Sequence, residues 1–206
     1  MSDRKERNFL EAFLEGAEAA IDLASDNEAV KAVPVVGTAI KLLKGADDMR
    51  SRALTAKLTK FLMEPALQSE KIRAKLRAGI ATSDEEARKV GESLFLVLDR
   101  MTDLDKPSLL AKVFVAYLDE IVSASELRRI AHAVDSAFTD DLQSLQDWEE
   151  TLHAKYGSEW KQPLVGSGLT RVVTGQTIDD MAEVYYELSD LGRTLHRALW
   201  HTNHLY

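Results

Sequence analysis

Cysteine is absent from all 206 residues, and that removes disulfides, thiolate metal sites, iron–sulfur clusters and cysteine nucleophiles in one step. A cysteine-free chain is compatible with a reducing compartment, and the expected location is cytoplasmic. Long hydrophobic runs are missing too. The nearest approach to one, Val30 to Leu43, carries Lys31 and Lys41 and is interrupted by Pro34 and Gly37, so no transmembrane segment is expected. The opening Met1-Ser2-Asp3-Arg4-Lys5-Glu6-Arg7 leads into an amphipathic stretch, which argues against a secretory signal. Only four prolines and ten glycines accompany 45% apolar and 29% charged residues. That balance describes a soluble globular chain of one or two small domains that folds without staples.

The common chemical motifs are lacking as well. No G-x-x-x-x-G-K-[ST], G-x-G-x-x-G, H-E-x-x-H or G-x-S-x-G pattern occurs, so glycine-cradled phosphates, helix-face zinc and exposed-nucleophile sites lose support. Gly166-Ser167-Gly168 reads as a loop. Among the five histidines, His196, His201 and His204 fall within reach of one another near a helix end, but the last acidic residue is Asp190, and they read as exposed. His132 with Asp135 three residues on has the spacing of an oriented base, a pairing more often structural than catalytic. Neither a catalytic residue, a metal site nor a cofactor is expected. Trp148, Trp160 and Trp200 read as packing residues in preference to base-stacking platforms.

The formal charge of −8 is unevenly placed. Between Lys31 and Arg77, eleven basic residues face four acidic ones, a local +7 that leaves −15 for the remainder. An anionic partner is one reading of this asymmetry, with Lys41, Lys44, Lys57 and Lys60 as contacts on solvated faces giving weak, salt-sensitive adsorption. The other reading pairs these bases with the protein's own acidic half. Helical geometry favours the second, because the bases of residues 36–62 do not form one stripe.

Hydrophobic periodicity of three and four residues places helices at about 3–25, from about 36 to 62, at 84–102, 107–119 and 125–137, and from Thr139 to about 154. In the second of these, Asp47 and Arg50 share the apolar face near Gly45, which implies pairing or a kink there. Ser83-Asp84-Glu85-Glu86 and Ser123-Ala124-Ser125-Glu126 match the capping box, and Pro107 sits where a first helical turn accepts it. The segments Leu109 to Leu118 and Leu127 to Phe138 form a helical hairpin. Its 119–123 linker lacks the oxygen ligands and central glycine of a calcium loop.

From Gly157 to Gly175 the pattern changes. Leu169-Thr170-Arg171-Val172-Val173 and Glu183-Val184-Tyr185-Tyr186-Glu187-Leu188 are β-branched and aromatic, around the turn-like Gly175-Gln176. The same residues also fit one continuous helix over 178–200, because Ile178, Met181, Tyr185, Leu188, Gly192, Leu195 and Leu199 keep the helical period. The strand reading is preferred, since Ser189 and Gly192 suit a helix start better than an interior. The run Tyr185-Tyr186-Glu187-Leu188-Ser189-Asp190-Leu191-Gly192-Arg193-Thr194-Leu195 resembles the last strand and following helix of winged-helix proteins, across about residues 140–200. That resemblance implies a DNA-binding regulator with Arg171, Arg193, Tyr185 and Tyr186 as contacts. From Thr139 onward, however, eleven acidic residues face five basic ones, a balance of −6 that suits phosphate poorly.

The expected fold is mainly α: a multi-helix bundle over 1–155, with a small C-terminal α+β module over 156–206 that carries a winged-helix-like hairpin and a final helix packed on the bundle. A fragment ending at Tyr156 is expected to stay folded. The expected function is non-catalytic binding of another protein through helical faces and the C-terminal module, with sequence-specific nucleic-acid binding disfavoured. The alternatives are the winged-helix regulator and a peripheral membrane protein that attaches through residues 30–44.

Overall fold

Between Leu109 and Leu118 only Lys112 is charged, and a helix apolar on nearly every side has to be enclosed by its neighbours. A computed structural model describes residues 49–78, 84–148, 159–174 and 184–205, and this helix lies at its centre. Expectations for the helix at 3–25, the Gly45 region, the Ser83 cap and the Gly175-Gln176 turn fall outside the described residues.

The described helices are α1 (Met49–Leu62), α2 (Pro65–Gln68), α3 (Glu70–Ala78), α4 (Asp84–Arg100), α5 (Lys106–Leu118), α6 (Ala124–Ser136), α7 (Thr139–Gln146) and α8 (Asp190–Leu205). Two 3-10 turns, Glu159–Lys161 and Pro163–Val165, precede the strands β1 (Thr170–Thr174) and β2 (Val184–Leu188). The described residues are thus mostly helical, with a small antiparallel hairpin near the C-terminus. Helix α5 touches α1, α2, α3, α6 and α8, while α4 packs across α1 and α6. Phe61, Phe114, Leu94, Leu110, Leu127 and Ile130 fill the centre, and Leu164, Leu169, Leu188, Leu195 and Leu199 join the same cluster from the far side of the glycine-rich stretch.

Local chemistry explains the joints. The Ser123 hydroxyl accepts from the Glu126 amide at 3.2 Å, while the Glu126 carboxylate accepts from the Ser123 amide at 2.8 Å, closing the reciprocal cap that opens α6. Those bonds hold the Glu126 carboxyl below its ordinary range. Pro107 lies in the first turn of α5. At the other end of α5, Glu120 adopts φ 63°, and the amides of Ile121 and Glu120 reach back to the carbonyls of Ala116 and Tyr117 at 2.9 and 3.0 Å. This is the left-handed stop that turns α5 toward α6.

The preferred reading of the C-terminal segment is the one observed. Thr170 pairs with Leu188 and Thr174 with Val184 across the hairpin, and α8 begins directly behind Ser189. The Ser189 hydroxyl accepts from the Gly192 amide at 3.0 Å and donates to the Gly168 carbonyl at 2.6 Å, so one side chain caps the helix and ties it to the base of β1. Ser189→Ala is expected to cost about 1 kcal/mol. Urea denaturation of the purified variant measures it, and an unchanged midpoint would show that neither bond matters.

Helices α2 and α3 went unanticipated. One is four residues long and begins with a proline, and in the other Ile72 and Leu76 are the buried apolar residues among those whose burial is described, too little apolar signal to register as a period.

Candidate functional site

The four lysines proposed for anionic contacts do not share one environment. Lys41 and Lys44 lie outside the described residues. Lys57, expected on a solvated face, is only 7% exposed, and its ammonium donates to the Asp99 carbonyl at 2.8 Å. That carbonyl belongs to the last turn of α4, where unpaired acceptors and the helix dipole favour a cation. Lys60 is exposed. Two neighbours in the same basic segment, Lys75 and Lys71, bind the nearly buried Asp119 carboxylate at 2.8 and 3.3 Å, and Lys75 also donates to the Leu118 carbonyl at 2.9 Å. For these residues the basic segment finds its acceptors inside the molecule.

The histidines are likewise engaged. His201, read as exposed, is largely covered, and its Nε2 lies 2.9 Å from Asp119. His196 Nε2 lies 2.7 Å from the Trp148 carbonyl and His204 Nδ1 2.8 Å from the Trp200 carbonyl. Asp135 faces Arg100, whose guanidinium also meets His132 at 3.0 Å, so the guanidinium joins the two residues that have the spacing of an oriented base. Trp148 and Trp160 pack against the core with the Lys161 ammonium 5.0 and 5.6 Å from their ring centroids. Trp200 departs from its expected packing: it is exposed and stacks on His204 with centroids 4.3 Å apart.

In the C-terminal module both arginines are occupied locally. Arg171 donates to Glu187 across the strands at 2.6 Å, while Arg193 donates to the Leu188 carbonyl and the Asp190 carboxylate, each at 2.7 Å. The hydrogen bond and charge of Arg193 hold the Asp190 carboxyl below its ordinary range. Tyr185 and Tyr186 are half-buried. Because facing residues share a side of a hairpin, Thr170, Leu188, Val172, Tyr186 and Val184 form one face. Thr170 and Leu188 are buried at its inner end, whereas Val172 and Val184 are 52% and 57% exposed at its outer end.

A second feature lies on the helical side. A groove of about 570 Å³ runs between the end of α1, the Glu64-Pro65 turn, the first turn of α5 and the length of α7. Glu64 forms part of its wall, only 8% exposed, and accepts a hydrogen bond from the Ser108 hydroxyl. Asp105, Asp147, Gln143, Gln146 and Thr139 complete the polar lining, with Lys60 at one edge. The Thr139 hydroxyl donates to Asp103 on the adjoining turn. That bond, then the Asp105 amide, hold the Asp103 carboxyl below its ordinary range against the opposing effect of burial.

The chain at this turn also carries exposed apolar side chains. Met63 lines the groove, Leu104 immediately precedes Asp105, and Phe138, 72% exposed, immediately precedes Thr139. The second helix of the hairpin, expected to run from Leu127 to Phe138, ends at Ser136. Phe138 stands at the N-cap of α7 and faces water.

The lining residues escaped the sequence reading because Glu64, Ser108 and Thr139 are remote in sequence and belong to no motif. One signal was present: Glu64 is a lone charge between Leu62-Met63 and Pro65-Ala66-Leu67. Among the described residues no cluster of three or more His, Asp or Glu has the arrangement of a metal site, and no helix is long and apolar enough to cross a membrane. The membrane-attachment segment 30–44 lies outside them. No family model, no curated protein and no solved structure matches the chain.

Proposed function

We propose that the protein is a non-catalytic interaction module that binds another protein through the outer face of its C-terminal hairpin. The observation that carries this reading is the continuity of that face: Leu188 anchors it in the core, and Val172 and Val184 carry the same apolar side into solvent beside Tyr186. Tyrosine flanked by exposed aliphatic residues on a rigid platform is the composition of an interface centre. Rigidity comes from Ser189 and Arg193, which fasten the hairpin to α8.

Val172→Ser with Val184→Ser tests it. Both side chains are exposed, so helicity and melting should be unchanged, while the protein that co-purifies with the parent from its native host should be lost. A double variant that retains the same partner, identified by mass spectrometry, refutes the hairpin as the binding face.

One observation favours a second reading, a winged-helix-type DNA-binding regulator: α5, α6 and α7 precede an antiparallel hairpin that ends in a Ser-capped helix. Against it stand Arg171 and Arg193, both already engaged by carboxylates, and the local excess of acidic residues. Phosphate contacts supply most of the sequence-independent affinity of DNA-binding proteins, and here they would have to displace existing pairs. Retention of labelled duplex at physiological salt, weakened by Arg171→Ala, would favour this reading over the first.

A further inference from the structure

We infer that the groove between α1, α5 and α7 receives a basic segment of a partner protein, with an arginine or lysine side chain at Glu64 and neighbouring apolar side chains on the rim. The inference rests on the interaction reading and adds the chemistry of one partner segment at a site separate from the hairpin.

Three observations converge. The first is the state of Glu64. The residue as a whole is 8% exposed, one carboxylate oxygen accepts from the neutral Ser108 hydroxyl, and among the described residues no lysine, arginine or histidine forms an ion pair with it. A buried carboxylate normally has a cation or several donors, because desolvation is costly without them. Lys60 stands one turn before it on the same wall, yet does not pair with it. Glu64 therefore offers the groove a carboxylate oxygen that no cation among the described residues holds.

The second is the charge of the lining. Among the described residues, Glu64, Asp105 and Asp147 line the groove with Lys60 as their one basic neighbour, and Asp103, held ionised by Thr139 and Asp105, adjoins it. The local field rejects anions and attracts cations. The amides of Gln143 and Gln146 add neutral donors and acceptors suited to peptide groups.

The third is the rim. Met63, Leu104 and Phe138 are exposed large apolar residues at or directly beside the lining residues, and the Thr139–Asp103 hydrogen bond brings the Leu104 and Phe138 turns together. A free metal or a small polyamine has no use for that surface. A peptide that alternates basic and apolar side chains uses both, with the cation desolvated against Glu64 and its neighbours covering Phe138 and Leu104.

The test uses the full-length protein and a short fluorescent peptide of alternating arginine and leucine, read by anisotropy. Saturable binding is expected. Glu64→Gln keeps an acceptor for Ser108 and removes the charge, so it should weaken binding about tenfold or more while leaving the melting temperature of the free protein unchanged or raised. Phe138→Ser is expected to weaken binding independently, and a peptide with citrulline in place of arginine is expected to bind poorly. The inference is overturned by absence of saturable binding, by equal affinity in Glu64→Gln, by equal binding of the citrulline peptide, or by spermine competing as well as the peptide does. Each of those results, obtained with partner capture through Val172 and Val184 intact, would leave the hairpin reading standing.

Discussion

Gly192→Ala is expected to destabilise the protein by about 2 kcal/mol or more, in the upper part of the range for overpacked sites. A methyl group at this position would press into the Leu169 carbonyl group, with the carbonyl carbon at 3.0 Å and the oxygen nearer still. The obstacle is backbone, so no side-chain rotation relieves it. That same carbonyl accepts the Ser189 amide at 3.0 Å, and moving it would disturb the joint between β1 and α8. The opposing effect is the greater helix propensity of alanine, worth at most about 1 kcal/mol in a helix interior and less in a first turn. The steric term therefore wins. Urea midpoints of the parent and variant measure the difference, and a variant as stable as the parent would mean that α8 slides away from β1 without penalty.

Removal of everything after Tyr156 should abolish cooperative melting. The glycine-rich boundary looks like a place to divide the chain, and by composition a fragment ending at Tyr156 should survive. The shared core argues otherwise. Leu164, Leu169, Leu188, Leu195 and Leu199 are buried in the same cluster as Leu110, Phe114 and Leu127. With about 1.5–3 kcal/mol for each fully buried leucine, the loss is on the order of 10 kcal/mol before the partners on α5 and α6 are counted. Whole domains have only about 5–15 kcal/mol of stability. Polar ties are lost with it: the Thr202 hydroxyl donates to the Lys112 carbonyl at 3.1 Å, and His201 meets Asp119. Calorimetry of the fragment decides the matter, and a sharp endotherm near that of the full chain would show that residues 49–148 sustain a core alone.

What the sequence made legible was mainly local. Ser123 and Glu126 announce their helix because the cap is closed within four residues, and Pro107 marks a first turn for the same reason. The strands 170–174 and 184–188 were legible from valine and tyrosine, and Ser189 from its misfit inside a helix. Gly192 drew notice for the same misfit, but its cause, the Leu169 carbonyl, lies on another element. Lys57 was misplaced because burial of a lysine depends on an acceptor forty-two positions away, the Asp99 carbonyl. Glu64, Ser108 and Phe138 stayed invisible for a related reason. A groove is made by the ends of several helices meeting, and no spacing within one segment encodes where those ends converge.

The position of α5 bears on how the chain is made. Its neighbours come from both directions along the sequence: α1, α2 and α3 are synthesised before it, α6 and α8 after it. A nascent chain that has just released α5 therefore holds an almost wholly apolar helix whose contacts with α6 and α8 are still to form. The open side waits until Leu195, Ala198 and Leu199 have left the ribosome. Throughout that interval the apolar segment from Val113 to Leu118 needs shelter, and the sooner α8 follows, the shorter the interval in which a chaperone must supply it.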